Sequence, residues 1–118
     1  MSNLPDDGAG APIDRSELAE ISGGDRSFEH RMLAIFRQAN DADAAVLRQA
    51  LANRDLATVT RCTHRIKGAG RMVGARVLTG ICEKIEQGGP AGDWDAMAAQ
   101  GEALDRELER VYACLGTL

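Results

Sequence analysis

The chain has 118 residues, of which 44% are apolar and 27% charged, enough for one domain with a modest core. Its net charge of −4 argues against a general affinity for polyanions. No apolar run reaches the roughly eighteen residues of a membrane span, and no basic start followed by an apolar stretch marks a secretory signal, so a cytoplasmic protein without membrane contact is expected.

Residues 1–12 are rich in Gly, Pro, Asp and Ala and read as a flexible N-terminal tail, leaving residues 13–118 as the folded domain. Little of the sequence lies outside that domain, which suggests a free-standing protein. Asp14 can cap a short helix, Glu17 can complete a capping box, and Leu18 and Ile21 give the helix an apolar side. Gly23 and Gly24 end it. Asp25 caps a long helix with Phe28, Met32, Ile35, Phe36, Ala39, Val46, Ala50 and Leu51 as its stripe; Asn40 and Asp41 allow a bend.

Asn53 and Arg54 form a tight turn, and Asp55 caps the next helix. There Leu56, Val59, Thr63, Ile66, Gly70 and Val73 recur at steps of three and four, the mark of one buried face. Gly70 and Gly74 weaken this helix and admit a turn. A further helix turns Val77, Leu78, Ile81, Cys82 and Ile85 inward, and Gly88, Gly89 and Pro90 close it. Asp93 caps the last helix, where Trp94, Met97, Gly101, Leu104, Leu108, Val111 and Leu115 keep a three-four alternation. No segment alternates with period two, so no sheet is predicted. The predicted fold is all-α, an antiparallel four-helix bundle with a short extra N-terminal helix.

Cys62, Cys82 and Cys114 are widely spaced and form no zinc pattern with the two histidines. They read as reduced thiols serving as small apolar residues. No metal site is predicted.

Charge is uneven along the chain. Residues 56–82 contain no acid but carry Arg61, Arg65, Lys67, Arg71 and Arg76, giving +5 against −9 for the remainder. Such a segment is a local address for an acidic protein surface. His64 lies in it, off the buried frame and therefore toward the edge of that face or toward water. Lys67 and Gly68 follow at three and four residues, on the same exposed strip. Neutral imidazole is a nucleophile near neutral pH. Lys67 can bind a phosphoryl group placed on the ring. Gly68 leaves room for another protein's backbone. The ring needs a carboxylate on Nδ1 to leave Nε2 free, and folding residues 75–87 back beside His64 brings Glu83 and Glu86 into range.

These residues resemble the phosphoacceptor motif of histidine-containing phosphotransfer (HPt) domains. That motif runs His, any residue, aliphatic, Lys-Gly, small residues, then an aliphatic followed by Gly-Ala. Here His64, Ile66, Lys67, Gly68, Ala69, Gly70, Val73, Gly74 and Ala75 meet it. Cys82, Ile85 and Glu86 resemble the family's stretch on the next helix. The resemblance implies that His64 is phosphorylated on Nε2, that Lys67 steadies the phosphoryl group, and that Glu86 rather than Glu83 orients the ring. Arg61, Arg65, Gly68 and Arg71 would then meet the receiver domain. Arg65 is bulkier and more basic than the residue common at its position.

The implied function is a phosphorelay intermediate in two-component signalling. His64 would accept a phosphoryl group from a receiver aspartate or a kinase and pass it to a response regulator. The implied partners are receiver domains and a sensor or hybrid histidine kinase, without nucleic acid or membrane. No kinase or nucleotide site is visible, since no strand precedes the glycines at 68, 70 and 74. No cofactor of its own is expected; Mg²⁺ belongs to the partner receiver. An alternative is a helical adaptor that binds receivers without phosphorylation, against which the intact His64 and Lys67 stand. Nucleic-acid binding is disfavoured by net acidity and by only four aromatics, Phe28, Phe36, Trp94 and Tyr112. His30 reads as a surface histidine.

Overall fold

The structure is a computed structural model that describes residues 10–116. Most of the expected tail, residues 1–9, lies outside the described residues, as do residues 117–118. Five helices follow in order: α1 (Arg15–Ser22), α2 (Arg26–Ala52), α3 (Leu56–Met72), α4 (Arg76–Ala91) and α5 (Trp94–Leu115). No strand occurs among the described residues. Neighbours along the chain from α2 to α5 pack together, and α5 returns to α2, which closes a four-helix ring. α1 lies outside it, against α2 and α3.

Four of the five helices start on the expected aspartates. Asp14 accepts from the Ser16 N–H, Asp25 from Phe28, Asp55 from Thr58 and Asp93 from Ala96. Each such cap stabilises its helix by about 1 kcal/mol. The capping box at α1 does not form. The Asp14 N–H instead donates to the Val73 carbonyl at 2.9 Å, and Glu17 pairs with Arg76. The residues before α1 are thereby stitched to the α3–α4 turn.

α2 runs unbroken through Asn40 and Asp41, and its buried stripe keeps Phe36 and Ala50 of the predicted one, with Met32 and Leu51 packed at its edge, but departs from it elsewhere. Leu33, Phe36, Asn40, Ala44, Leu47 and Ala50 face inward. Ile35 and Val46 are 68% and 47% exposed. The true stripe contains two alanines and an asparagine, so residue apolarity alone does not mark all of it. On α3 the predicted frame holds from Val59 to Val73, while Leu56 at its start is 38% exposed.

Gly88, Gly89 and Pro90 do not end α4. It continues to Ala91, and Gly92 at φ +66° terminates it. Proline is tolerated in this last turn, and the glycine pair serves packing instead. A Cβ on Gly88 would stand 2.6 Å from the Met97 side chain, and one on Gly89 2.8 Å from Leu56. Cys62 and Cys82 are buried, Cys114 is half-buried, and all three are free thiols. Burial pushes the Cys82 thiol up to about 12 and the Cys62 thiol upward as well.

Gly74 is required on two counts. Its φ is +65°, and a Cβ there would meet the Asp14 Cβ at 2.4 Å. Gly74→Ala is therefore expected to destabilise the fold by about 2 kcal/mol or more, whereas Gly68→Ala, into open space, should be neutral or stabilise by up to about 1 kcal/mol. Urea unfolding of the two variants checks both signs.

Acid should weaken the caps. The Ser16 hydroxyl and N–H, with Arg76, hold the Asp14 carboxyl down to about 2. The Thr58 hydroxyl and N–H lower Asp55. A depressed carboxylate contributes stability above its unfolded value of about 3.9, and that contribution is lost as pH falls through the folded value. The thermal midpoint should drop as pH falls from about 4 to about 2, and drop less in Asp14→Asn, whose amide still caps but does not titrate.

Candidate functional site

The two faces of α3 divide the work. Val59, Cys62, Thr63, Ile66 and Gly70 are buried against the bundle. That leaves His64, Arg65 and Gly68 exposed on the outer side. Thr63 is fully buried and donates its hydroxyl to the Val59 carbonyl at 3.0 Å, so it needs no partner from another helix. His64 follows it by about 100° around the helix and points outward. Among the described residues the exposed imidazole has no hydrogen-bond partner.

Gly68 lies one turn beyond. A Cβ there would have nothing within 4 Å, so no packing demand explains the glycine. Gly70, in contrast, lets α4 approach, with Thr79 Cγ2 only 3.1 Å from where its Cβ would be. The division between an open Gly68 and a packed Gly70 agrees with the sequence reading.

Lys67 is held differently from expectation. Its Nζ donates to Glu86 Oε1 at 2.7 Å, and the side chains are only 13% and 24% exposed. Glu86 thus faces Lys67, and no hydrogen bond joins it to the His64 ring. Glu83 reaches Arg71 at 4.0 Å. Both acids that geometry offered to the histidine are engaged by cations further along α3. Folding the chain back about its turn located α4 to within a turn, which is too coarse to choose a side-chain partner.

The basic strip is also less bare than its sequence. Arg65 reaches Asp43 on α2 at 3.4 Å, and Arg76 reaches Asp14 and Glu17. With the pairs of Lys67 and Arg71, four of its five cations meet acids supplied by other helices. Arg61 instead donates to the Thr58 hydroxyl at 3.4 Å. The exposed pairs are weak and can open to a partner. Asp43 carried no signal in the sequence, because its role depends on the α2–α3 register.

A further feature went unforeseen. Ile35, Ala39, Asp43 and Val46 form one stripe along α2, spaced by four, four and three residues. Asp43 meets Arg65, so the stripe borders α3. Arg65, Gly68 and Met72 form the facing stripe, and Met72 is 50% exposed. Apolar surface thus flanks Gly68 on the α2 side. A groove of about 230 Å³ between α2 and α5 is lined by His30, Leu33, Arg37, Tyr112 and Leu115. No group of three His, Cys, Asp or Glu side chains among the described residues is placed to hold a metal ion. No helix among them is long and apolar enough to cross a membrane.

A helical bundle with an exposed histidine, a lysine one turn on and an unobstructed glycine beside them is the arrangement that the phosphotransfer resemblance implies. The sequence model described as "Hpt domain" matches residues 31–114, and the chain belongs to that family. It is 31% identical over 74 residues to a protein named "Sensor protein GacS" from Pseudomonas syringae pv. syringae, covering 63% of this chain and 8% of that relative's length. It shares its fold with histidine-containing phosphotransfer protein B (HptB) from Pseudomonas aeruginosa PAO1. That crystal structure superposes with a TM-score of 0.83 at 22% identity, over 92% of this chain and 95% of the other.

Proposed function

We propose that His64 is the phosphoacceptor of a phosphorelay intermediate, loaded from a receiver aspartate or a kinase and discharged to a response-regulator receiver. The observation that carries this reading is the exposed His64 with Lys67 and an open Gly68 one turn away on the same helix. The lone pair of Nε2 attacks the phosphorus of the aspartyl phosphate. The N–P bond forms as the O–P bond breaks, and the carboxylate leaves with the bonding electrons. The Nδ1 proton stays on the ring or is released to water. The receiver supplies the acidic pocket and its Mg²⁺, while this chain supplies an aligned nucleophile. Direction of flow depends on which phosphorylated partner is in excess.

Receiver docking uses Gly68 for close approach and Arg61, Arg65 and Arg71 for orientation. The apolar flank of Ile35, Val46 and Met72 adds buried area beside them. Apolar side chains left exposed on the bundle's reactive face are better explained by a partner than by folding. An adaptor that binds receivers without phosphorylation would use the same surface but would not need Lys67 beside His64.

Incubation with a panel of phosphorylated receivers should give acid-labile label that disappears in His64→Gln while helical circular dichroism persists. Label that survives in His64→Gln but is lost in His30→Gln would move the site to His30. For the docking face, Ile35→Asp and Gly68→Gln should each slow transfer about tenfold without lowering the thermal midpoint. Stopped-flow transfer and melts on the same preparations check this; unchanged rates would detach the α2 flank and Gly68 from docking.

A further inference from the structure

Lys67 is expected to steady the phosphoryl group, yet its ammonium is already committed to a carboxylate. The Lys67–Glu86 contact is 2.7 Å long, and with 13% and 24% side-chain exposure it is the least exposed cation–acid pair around the site. The neighbouring pairs of Arg65 and Arg71 each contain a side chain more than 60% exposed. Lys67 lies three residues beyond His64 on α3, so the one ammonium that a phosphoryl group on His64 would attract is the one that Glu86 already draws toward α4. Among the described residues, Glu86 makes no hydrogen bond to His64 that would give it the alternative role of fixing the tautomer.

We infer that Glu86 is a competing partner for Lys67: it holds the lysine while His64 is unmodified and yields it to the phosphoryl group when His64 is phosphorylated. The inference rests on His64 being the phosphoacceptor. Its consequence is thermodynamic. The pair stabilises only the unphosphorylated state, so breaking it is a cost of forming phosphohistidine. Glu86 therefore sets the protein's phosphoryl-transfer potential, keeping the phosphohistidine readily discharged to the next acceptor. A glutamine at this position would leave Lys67 free and make the protein a better phosphoryl store. Glu86 is a positioning residue, acting through Lys67 rather than on the reacting atoms.

Phosphoramidate provides a test without any receiver. Attack of Nε2 on its phosphorus forms the N–P bond and breaks the bond to nitrogen, which leaves as ammonia. The equilibrium fraction of phosphorylated His64, read by ³¹P NMR at fixed phosphoramidate and ammonium, gives the transfer potential. Glu86→Gln should raise the equilibrium constant about threefold to fivefold, the size of a partly screened ion pair. In a Lys67→Met background the same substitution should change nothing. An equal rise in both backgrounds would mean that Glu86 acts by direct repulsion of the phosphoryl group, and no rise in the native background would mean that it does not compete; either result overturns the inference. Failure of every variant, including the native chain, to accept phosphate on His64 would instead sink the assignment of the phosphoacceptor.

Discussion

The missing side chain at Gly74 is the constraint on which the rest of the structure leans. Only there can the backbone take φ +65° while the Asp14 backbone lies against it, with the Asp14 N–H on the Val73 carbonyl. Arg76, one step into α4, then reaches both Asp14 and Glu17. The segment before α1 is thus tied to the α3–α4 turn, and the turn sets how the two helices run past one another. That register brings Glu86 to Lys67 and Glu83 to Arg71. A site made of one helix's outer strip and a carboxylate from the next depends on it.

Stability and function are separated around α3 rather than along it. Glycine in a helix costs about 1 kcal/mol relative to alanine. Burial of Ile66 and Val59 on the opposite side contributes about 1.5–3 kcal/mol each, so the helix can carry Gly68 without losing its place. The outer strip is held by ion pairs that are individually weak in water. A rigid frame with a surface that can exchange partners suits the phosphorelay role proposed for this chain. The buried thiols of Cys62 and Cys82 take no part, since burial raises both and hides them from solvent.

Much of this was legible in the sequence, and the failures share a physical cause. Aspartate caps at residues 14, 25, 55 and 93 and the three-four frames of α3 and α5 were read correctly, because both depend on local chemistry and period. The α2 stripe is legible only in part: Phe36 and Ala50 are buried as the pattern predicts, but the core face also uses Asn40 and Ala44 while apolar Ile35 and Val46 point outward. Gly88 and Gly89 read as a stop in the sequence, because a packing glycine and a terminating glycine look alike until the neighbouring helix is placed. At the site, the outward position of His64 and the openness of Gly68 followed from helix phase. The partner of Glu86 did not, since distinguishing His64 from Lys67 requires the α3–α4 register to within one turn.

The central claim is that the outer strip of α3 presents His64 as a nucleophile through Nε2. The most direct measurement is ³¹P–¹⁵N coupling in the phosphorylated, ¹⁵N-labelled protein. The expected result is a single phosphorus signal coupled to the Nε2 of His64, with Nδ1 carrying the proton. Coupling to Nδ1 of His64, or to either nitrogen of His30, would contradict it.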